Sequence, residues 1–258
     1  MKPNNGEILM HDTVRTGNGL EIHANMNSKK SHRQISSNGY EVNVGELLSQ
    51  VIPTPMSDRP RMDPETAKME IAKRHREIME ILGLDLSDDS LSETPERVAK
   101  MYVDEIFAGL REENFPKITV VENKMSYDEM LVEINITFNS TCEHHFLPIL
   151  GRAHVAYICK GWVLGLSKFN RVVQFFAKRP QVQERATVQI QQALARILRT
   201  DDVAVVVDAV HTCVKTRGVE DESSVTRTSK LSGAFQSNPS LRAEFYASIP
   251  SPAALKVG

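Results

Sequence analysis

Cysteine is scarce in this chain, and several other absences narrow its class. The sequence has 258 residues and only three cysteines, Cys142, Cys159 and Cys213. An odd, sparse set excludes a disulfide scaffold and fits a reducing compartment. Charge of one sign is missing too: 31 Lys and Arg against 33 Asp and Glu leave a formal net charge of −2. There is therefore no bulk positive field to draw in nucleic acid or a membrane surface. No stretch approaches the roughly 18–20 apolar residues of a spanning helix. The first residues, MKPNNGEILMHDTV, lack the apolar run of a signal peptide, and Glu7, Asp12 and Glu21 argue against a transit peptide. A cytoplasmic protein with no nucleic-acid and no membrane partner is expected. What remains, 41% hydrophobic and 25% charged residues, is ordinary soluble globular composition in a chain long enough to bury a core.

The first part of the chain differs from the rest. Asn, Gly, Ser and Pro recur over residues 1–58, with Tyr40 the sole aromatic there. Such composition buries too little apolar surface to offset ordering entropy, so residues 1–58 are expected to be a disordered extension. Within it, Val42 to Ile52 has the makings of a short helix or docking element. A globular domain is expected over 59–250, with a helical entry region at 59–112 and a core at 117–250. Asp63-Pro64 signals a helix start, with Ala67, Ile71, Ile78 and Leu82 on one face and Gly83 as its stop. Thr94-Pro95 starts a second helix in the same way. Val132, Ile134, Ile136 and Phe138 alternate with polar residues, as in a half-buried strand. Ala153 to Cys159 reads as another strand. Helices are expected from about Ser167 to Lys178 and Gln181 to Arg199, then a long strand from Val203 to Lys215 paired by Ser224 to Leu231, and a last helix near Leu241. The interleaving predicts an α+β fold with an antiparallel sheet.

The sharpest chemical signal is Cys142-Glu143-His144-His145, in a loop after a strand. Cys142 and His145 are three apart and suit a zinc-type ion; a buried thiol beside two surface imidazoles is the plain alternative. His211 and Cys213, read on one strand, share a face. Cys142, His145 and Cys213 would make a three-ligand set with a fourth position open, the arrangement of catalytic rather than structural zinc. Cys159 reads as core. In Gly165 to Phe176, Ser167 resembles an N-cap, which puts Lys168 and Arg171 in the first turn. Cations are the wrong charge for a helix N-terminus unless an external anion completes the site. Arg217 follows Cys213 by four residues and could add to it. Gln183 and Glu184 lie near a helix start. They are either a solvated face or, for a carboxylate, an acceptor for the two donors on the edge of guanine.

The motifs CEHH, GLSKFNRVVQFFAKRPQVQER and DAVHTCVKTRG, with ETPERVAKMYVDEIFAGL and NFPKITVVENK, closely resemble the zinc-dependent GTP cyclohydrolase I family, from about Met62 to Ser248. The resemblance implies conversion of GTP and water to 7,8-dihydroneopterin triphosphate and formate, the first step toward folate and pterin cofactors. It implies one zinc per subunit, held by Cys142, His145 and Cys213, with His144 and His211 as catalytic histidines. It assigns Ser167, Lys168, Arg171 and Arg217 to the triphosphate, Arg97 to a phosphate of a neighbouring subunit's site, and Gln183 with Glu184 to guanine. It also implies the tunnelling fold, a four-stranded antiparallel sheet with two helices on one side. Its assembly would be a homodecamer of two pentamers with active sites between subunits. Two alternatives remain: another tunnelling-fold enzyme, against which the Cys142/His145/Cys213 set argues, and an inactive or regulatory zinc-binding oligomer.

Overall fold

The computed structural model describes residues 39–255, so most of the expected extension lies outside the described residues. Its boundary at residue 58 does not hold. Gly39–Glu41 forms strand β1, paired antiparallel with β2, Thr119–Glu122. Tyr40 is the anchor: its hydroxyl donates to the Ile197 carbonyl, its ring meets Trp162 edge-on at 5.0 Å, and the Arg199 guanidinium lies 3.9 Å from its centroid. Helix α1, Val44–Ser49, is capped by the Asn43 side chain and buries Leu47, with Val51 just beyond its end also buried. One aromatic and a few aliphatics thus bury enough surface to order a polar segment.

Helix α2, Pro64–Ile81, starts where its signal lies, with the Asp63 carboxylate accepting from Thr66 N–H at 3.0 Å. The buried face differs from the expected stripe. Ala72 and Met79 are buried, whereas Ile78 is 51% and Leu82 70% exposed. The helix rests on α3, Thr94–Lys100, through the neighbouring face, which leaves Ile71 and Ile78 on an open apolar groove of 640 Å³ shared with Tyr102, Phe107 and Phe146. A π-helical turn, Met101–Ile106, continues α3.

The main sheet follows. Strand β3, Met130–Cys142, pairs antiparallel with β4, Pro148–Ile158, from Met130↔Ile158 at one end to Thr141↔Pro148 at the other. A bulge between Glu133 and Ile136, with Asn135 at φ 58°, interrupts the alternation. Ile134 is consequently 44% exposed, while Ile136 and Phe138 are buried. Strand β5, Trp162–Leu164, pairs with β2 to complete a small three-stranded sheet. Helix α4, Leu166–Ala177, leads to the two-residue strand β6, Pro180–Gln181, and then to α5, Gln183–Leu198.

Strand β7, Val203–His211, ends four residues short of the expected Lys215. Residues Thr212–Lys215 turn into the one-turn helix α6. The ladder runs out there, because the last pairs are Ile149↔His211 on one side and Ala209↔Thr226 on the other, and the Thr212 hydroxyl donates to the Pro148 carbonyl at 2.7 Å. Strand β8, Thr226–Leu231, and helices α7, Ala234–Ser237, and α8, Pro239–Ser248, follow, with a short 3-10 turn at Pro252–Ala254 after them. The sheet order is β6-β3-β4-β7-β8. It is a five-stranded mixed sheet rather than the purely antiparallel four strands expected, because the link from α4 to α5 runs parallel to the end of β3, Thr141↔Pro180 and Cys142↔Gln181. The α+β class holds. Helices α4 and α5 cover one face, where Val205 and Val207 are buried; Phe235 and Phe245 cover Ala204 and Val206 on the other. Burial on both faces is why β7 reads as a continuous apolar run. No helix among the described residues is long and apolar enough to cross a membrane.

Candidate active site

One end of the sheet gathers most of the candidate residues. Cys142 closes β3, His144 and His145 lie in the loop to β4, Gln183 opens α5, His211 closes β7 and Cys213 sits in α6. The ligand atoms of Cys142, His145 and Cys213 all lie within 4.8 Å of one another. Cys142 Sγ is 3.8 Å from Nδ1 of both His144 and His145. Both thiols are buried, and burial, with the neighbouring Cys142 thiol, pushes the Cys213 thiol up. Two thiols and an imidazole that converge so closely form a soft S₂N donor set suited to zinc, an ion that takes four ligands in a tetrahedron. The convergence does not depend on the shared strand face read from the sequence, since α6 carries Cys213 there.

The loop is a tight return. Cys142 N–H donates to Leu147 O and Phe146 N–H to Cys142 O, both at 2.8 Å, and Phe146 takes φ 55°. Glu143 N–H donates to Gln181 O at 3.0 Å. The Glu143 carboxylate receives two bonds from Arg185, at 2.6 and 3.2 Å, which hold it below the usual carboxylate range. Arg217 Nη1 reaches His145 Nε2 at 3.0 Å.

His211 Nε2 lies 2.7 Å from Gln183 Oε1. Gln183 Nε2 donates to the carbonyls of Val207 (2.9 Å) and Thr226 (3.0 Å) and to the Thr228 hydroxyl (3.2 Å). Carbonyls only accept, so the amide orientation is fixed: Oε1 faces His211, and His211 Nε2 carries the proton. Burial pushes the His211 pKa down, partly offset by the Glu184 carboxylate. Neutral His211 therefore keeps Nδ1 as its free basic nitrogen. Gln183 is 1% exposed with its amide fully engaged, whereas Glu184 is exposed.

The remaining cations lie elsewhere. Helix α4 begins at the far end of the sheet: Asn170 Nδ2 bonds Glu133 Oε1 at 3.3 Å, and Glu133 stands nine positions before Cys142 on β3. At ~3.3 Å per residue that is about 30 Å from the thiol cluster. Ser167, Lys168 and Arg171 share this start. The N-cap there is Gly165, with no side-chain cap and no acid in the first turn. Ser167 is thus inside the helix rather than its cap. Lys168 Nζ bonds Lys117 O at 2.9 Å. Arg97, on α3, is exposed and paired with Glu93 at 2.8 Å.

The profile of the family described as GTP cyclohydrolase I matches residues 71–250. The chain belongs to the GTP cyclohydrolase I family. It is 58% identical over 206 residues to the GTP cyclohydrolase 1 of Salmonella gallinarum, covering 79% of this chain and 92% of that protein. The protein of the same name from Yersinia pseudotuberculosis is 56% identical over 203 residues, at the same coverage of each chain. That of an Enterobacter species is 58% identical over 206 residues, again covering 79% and 92%. Placing the chain among the GTP cyclohydrolases leaves two features that sequence spacing does not reveal. The Glu143–Arg185 pair spans 42 positions and the Gln183–His211 pair 28. Neither leaves a local pattern; opposite charges beside two recognised motifs were the only trace of the first.

Proposed function

We propose that the chain converts GTP and water to 7,8-dihydroneopterin triphosphate and formate, using one zinc ion per subunit held by Cys142, His145 and Cys213. The observation that carries this reading is the convergence of those three donors beside His144, His211 and Glu184 in a member of this family. When bound, zinc supplies activation of water at neutral pH. Glu184, exposed at the start of α5, accepts from the ring N–H and exocyclic amine of guanine, donors that adenine lacks in that arrangement. His211 exchanges protons at Nδ1 while Gln183 holds its Nε2–H, which suits it to the ribose steps. His144 presents its ring beside the thiol cluster and suits proton delivery to the opening imidazole ring. Gln183, whose amide is engaged by His211, Val207, Thr226 and Thr228, serves by fixing the His211 tautomer.

The triphosphate side calls for a second copy of the chain. Ser167, Lys168 and Arg171 flank an uncapped helix start, a ready anion site, yet about 30 Å of strand separates them from the thiols of the same chain. A neighbouring copy that brings its α4 start, and Arg97, to the cluster completes the site, while Arg217 of the same chain adds one cation. The open apolar groove along Ile71 and Ile78 fits burial between copies. The tunnelling fold assembled as a decamer of two pentamers, which the family resemblance implies, would supply such a neighbour. The test is product analysis. GTP yields one formate per fluorescent pterin while ATP yields none, and Glu184→Ala raises KM for GTP about tenfold or more. Equal turnover of ATP, or an unchanged KM, contradicts the assignment of Glu184.

A further inference from the structure

The two halves of the site stand on different elements. The thiol–imidazole cluster is on the β3–β4 loop and its neighbour α6; the base-reading turn is the first turn of α5. Among the described residues, backbone pairing joins the loop to the start of α5 through Thr141↔Pro180, Cys142↔Gln181 and the Glu143 N–H bond to Gln181. His144, His145 and Phe146 are exposed, and the Phe146 ring meets Phe107 and Tyr102 rather than α5, so that contact does not set the loop's place relative to the base-reading turn. One ion pair joins the loop to α5 among the described residues, Glu143 with Arg185. Its side chains are 26% and 15% exposed, and the guanidinium engages both carboxylate oxygens. Such a fork is directional as well as attractive, and its partial burial limits screening.

We propose that Arg185 and Glu143 are positioning residues, whose two-bond fork sets the spacing and angle between the metal cluster and the turn of α5 that reads guanine. Glu143 lies between two residues of the cluster loop, and Arg185 directly follows Glu184. A rigid tie at these points transmits register from one to the other. A shift of about 1 Å between a reacting ring and its activating group costs on the order of 100-fold in rate. The proposal rests on the reading of Cys142, His145 and Cys213 as metal ligands.

The experiment compares the parent with Arg185→Ala, Arg185→Lys, Glu143→Gln and the double variant Glu143→Gln/Arg185→Ala. It measures kcat/KM for GTP, the visible absorption of the cobalt(II)-loaded protein and the melting temperature. Arg185→Ala and Glu143→Gln are each expected to lose about 10–100-fold in kcat/KM. They should still take one cobalt per chain, bound about tenfold more weakly and with an altered absorption band. The double variant should be no worse than the poorer single, and Arg185→Lys should recover only part of the loss, because an ammonium cannot make the fork. Parental kcat/KM and an unchanged cobalt band in Glu143→Gln would overturn the proposal, as would losses that multiply in the double variant. Should Arg185→Ala fail to fold, Glu143→Gln, which keeps the shape, decides alone. A parent that releases no formate from GTP would sink the activity reading, whereas the cobalt spectra would still decide whether the fork positions the cluster.

Discussion

Cys213→Ala should lose metal and turnover together, because the one-turn helix α6 places this thiol within 4.8 Å of Cys142 and His145. Metal analysis of the purified variant checks this, and an active variant with one zinc per chain would remove Cys213 from the ligand set. Gln183→Ala strips His211 Nε2 of its acceptor and removes the three bonds that Gln183 Nε2 donates to Val207, Thr226 and Thr228, an expected loss of about 1–3 kcal/mol in stability with a fall in kcat larger than the change in KM. A KM effect alone would instead return Gln183 to direct guanine contact. On the other face of the sheet, His154 is 1% exposed and accepts from Asn135 N–H at 3.3 Å, while Asp208 is committed to Arg227 by bonds of 2.6 and 2.7 Å. Burial outweighs the Asp208 charge and pushes the His154 pKa below its ordinary 6.5. The folded state then binds this proton less readily than the unfolded chain. The stability so gained is full above 6.5 and is lost as pH falls through the lowered value. Melting temperatures from pH 8 to 5 should fall on the acid side less steeply in His154→Gln than in the parent. Among single residues, ligand chemistry made the cluster legible from CEHH and HTC. The employment of Gln183 was not legible, because a glutamine on a helix face gives no sign of which distant carbonyls it meets.

Elements with a local cause read well from the sequence. Asp63-Pro64 starts α2, and the apolar periodicities of α4 and α5 mark their helices within two residues of their observed ends. Misreadings arose where tertiary pairing decides. β7 stops at His211 because its partners stop, the bulge at Asn135 turns Ile134 outward, and Pro180–Gln181 joins the sheet because the chain passes there. Gly151 illustrates a constraint of the same kind: a Cβ at this position would lie 2.2 Å from the Asp208 carbonyl across the β4–β7 pair. Gly151→Ala should destabilise by about 1–3 kcal/mol or more, read as a lowered denaturation midpoint. A midpoint equal to the parent's would mean the two strands can separate without cost.

The whole molecule was legible as an α+β chain with a metal-type cluster, but the reach of its parts was not. Spacing in sequence could not show that Lys168 and Arg171 start a helix at the opposite end of the sheet from Cys142, nor that Tyr40 ties residues 39–52 onto α5. A shared site makes a specific prediction for mixed assemblies. Neither Cys213→Ala nor the double variant Lys168→Ala/Arg171→Ala should turn over GTP alone. Dissociated and reassembled together in equal amounts, they should recover about a quarter of parental activity, since one site in four then combines an intact metal half with an intact phosphate half. No recovery in mixed oligomers would place both halves within one chain. The most direct measurement of the metal-supported ring opening follows formate and pterin fluorescence from GTP in the parent protein, before chelator, after it, and after zinc is restored. Formation of both products should cease with the metal gone and return with one equivalent of zinc per chain. Formate release at the full rate from metal-free protein would contradict the assignment of Cys142, His145 and Cys213 to a catalytic ion.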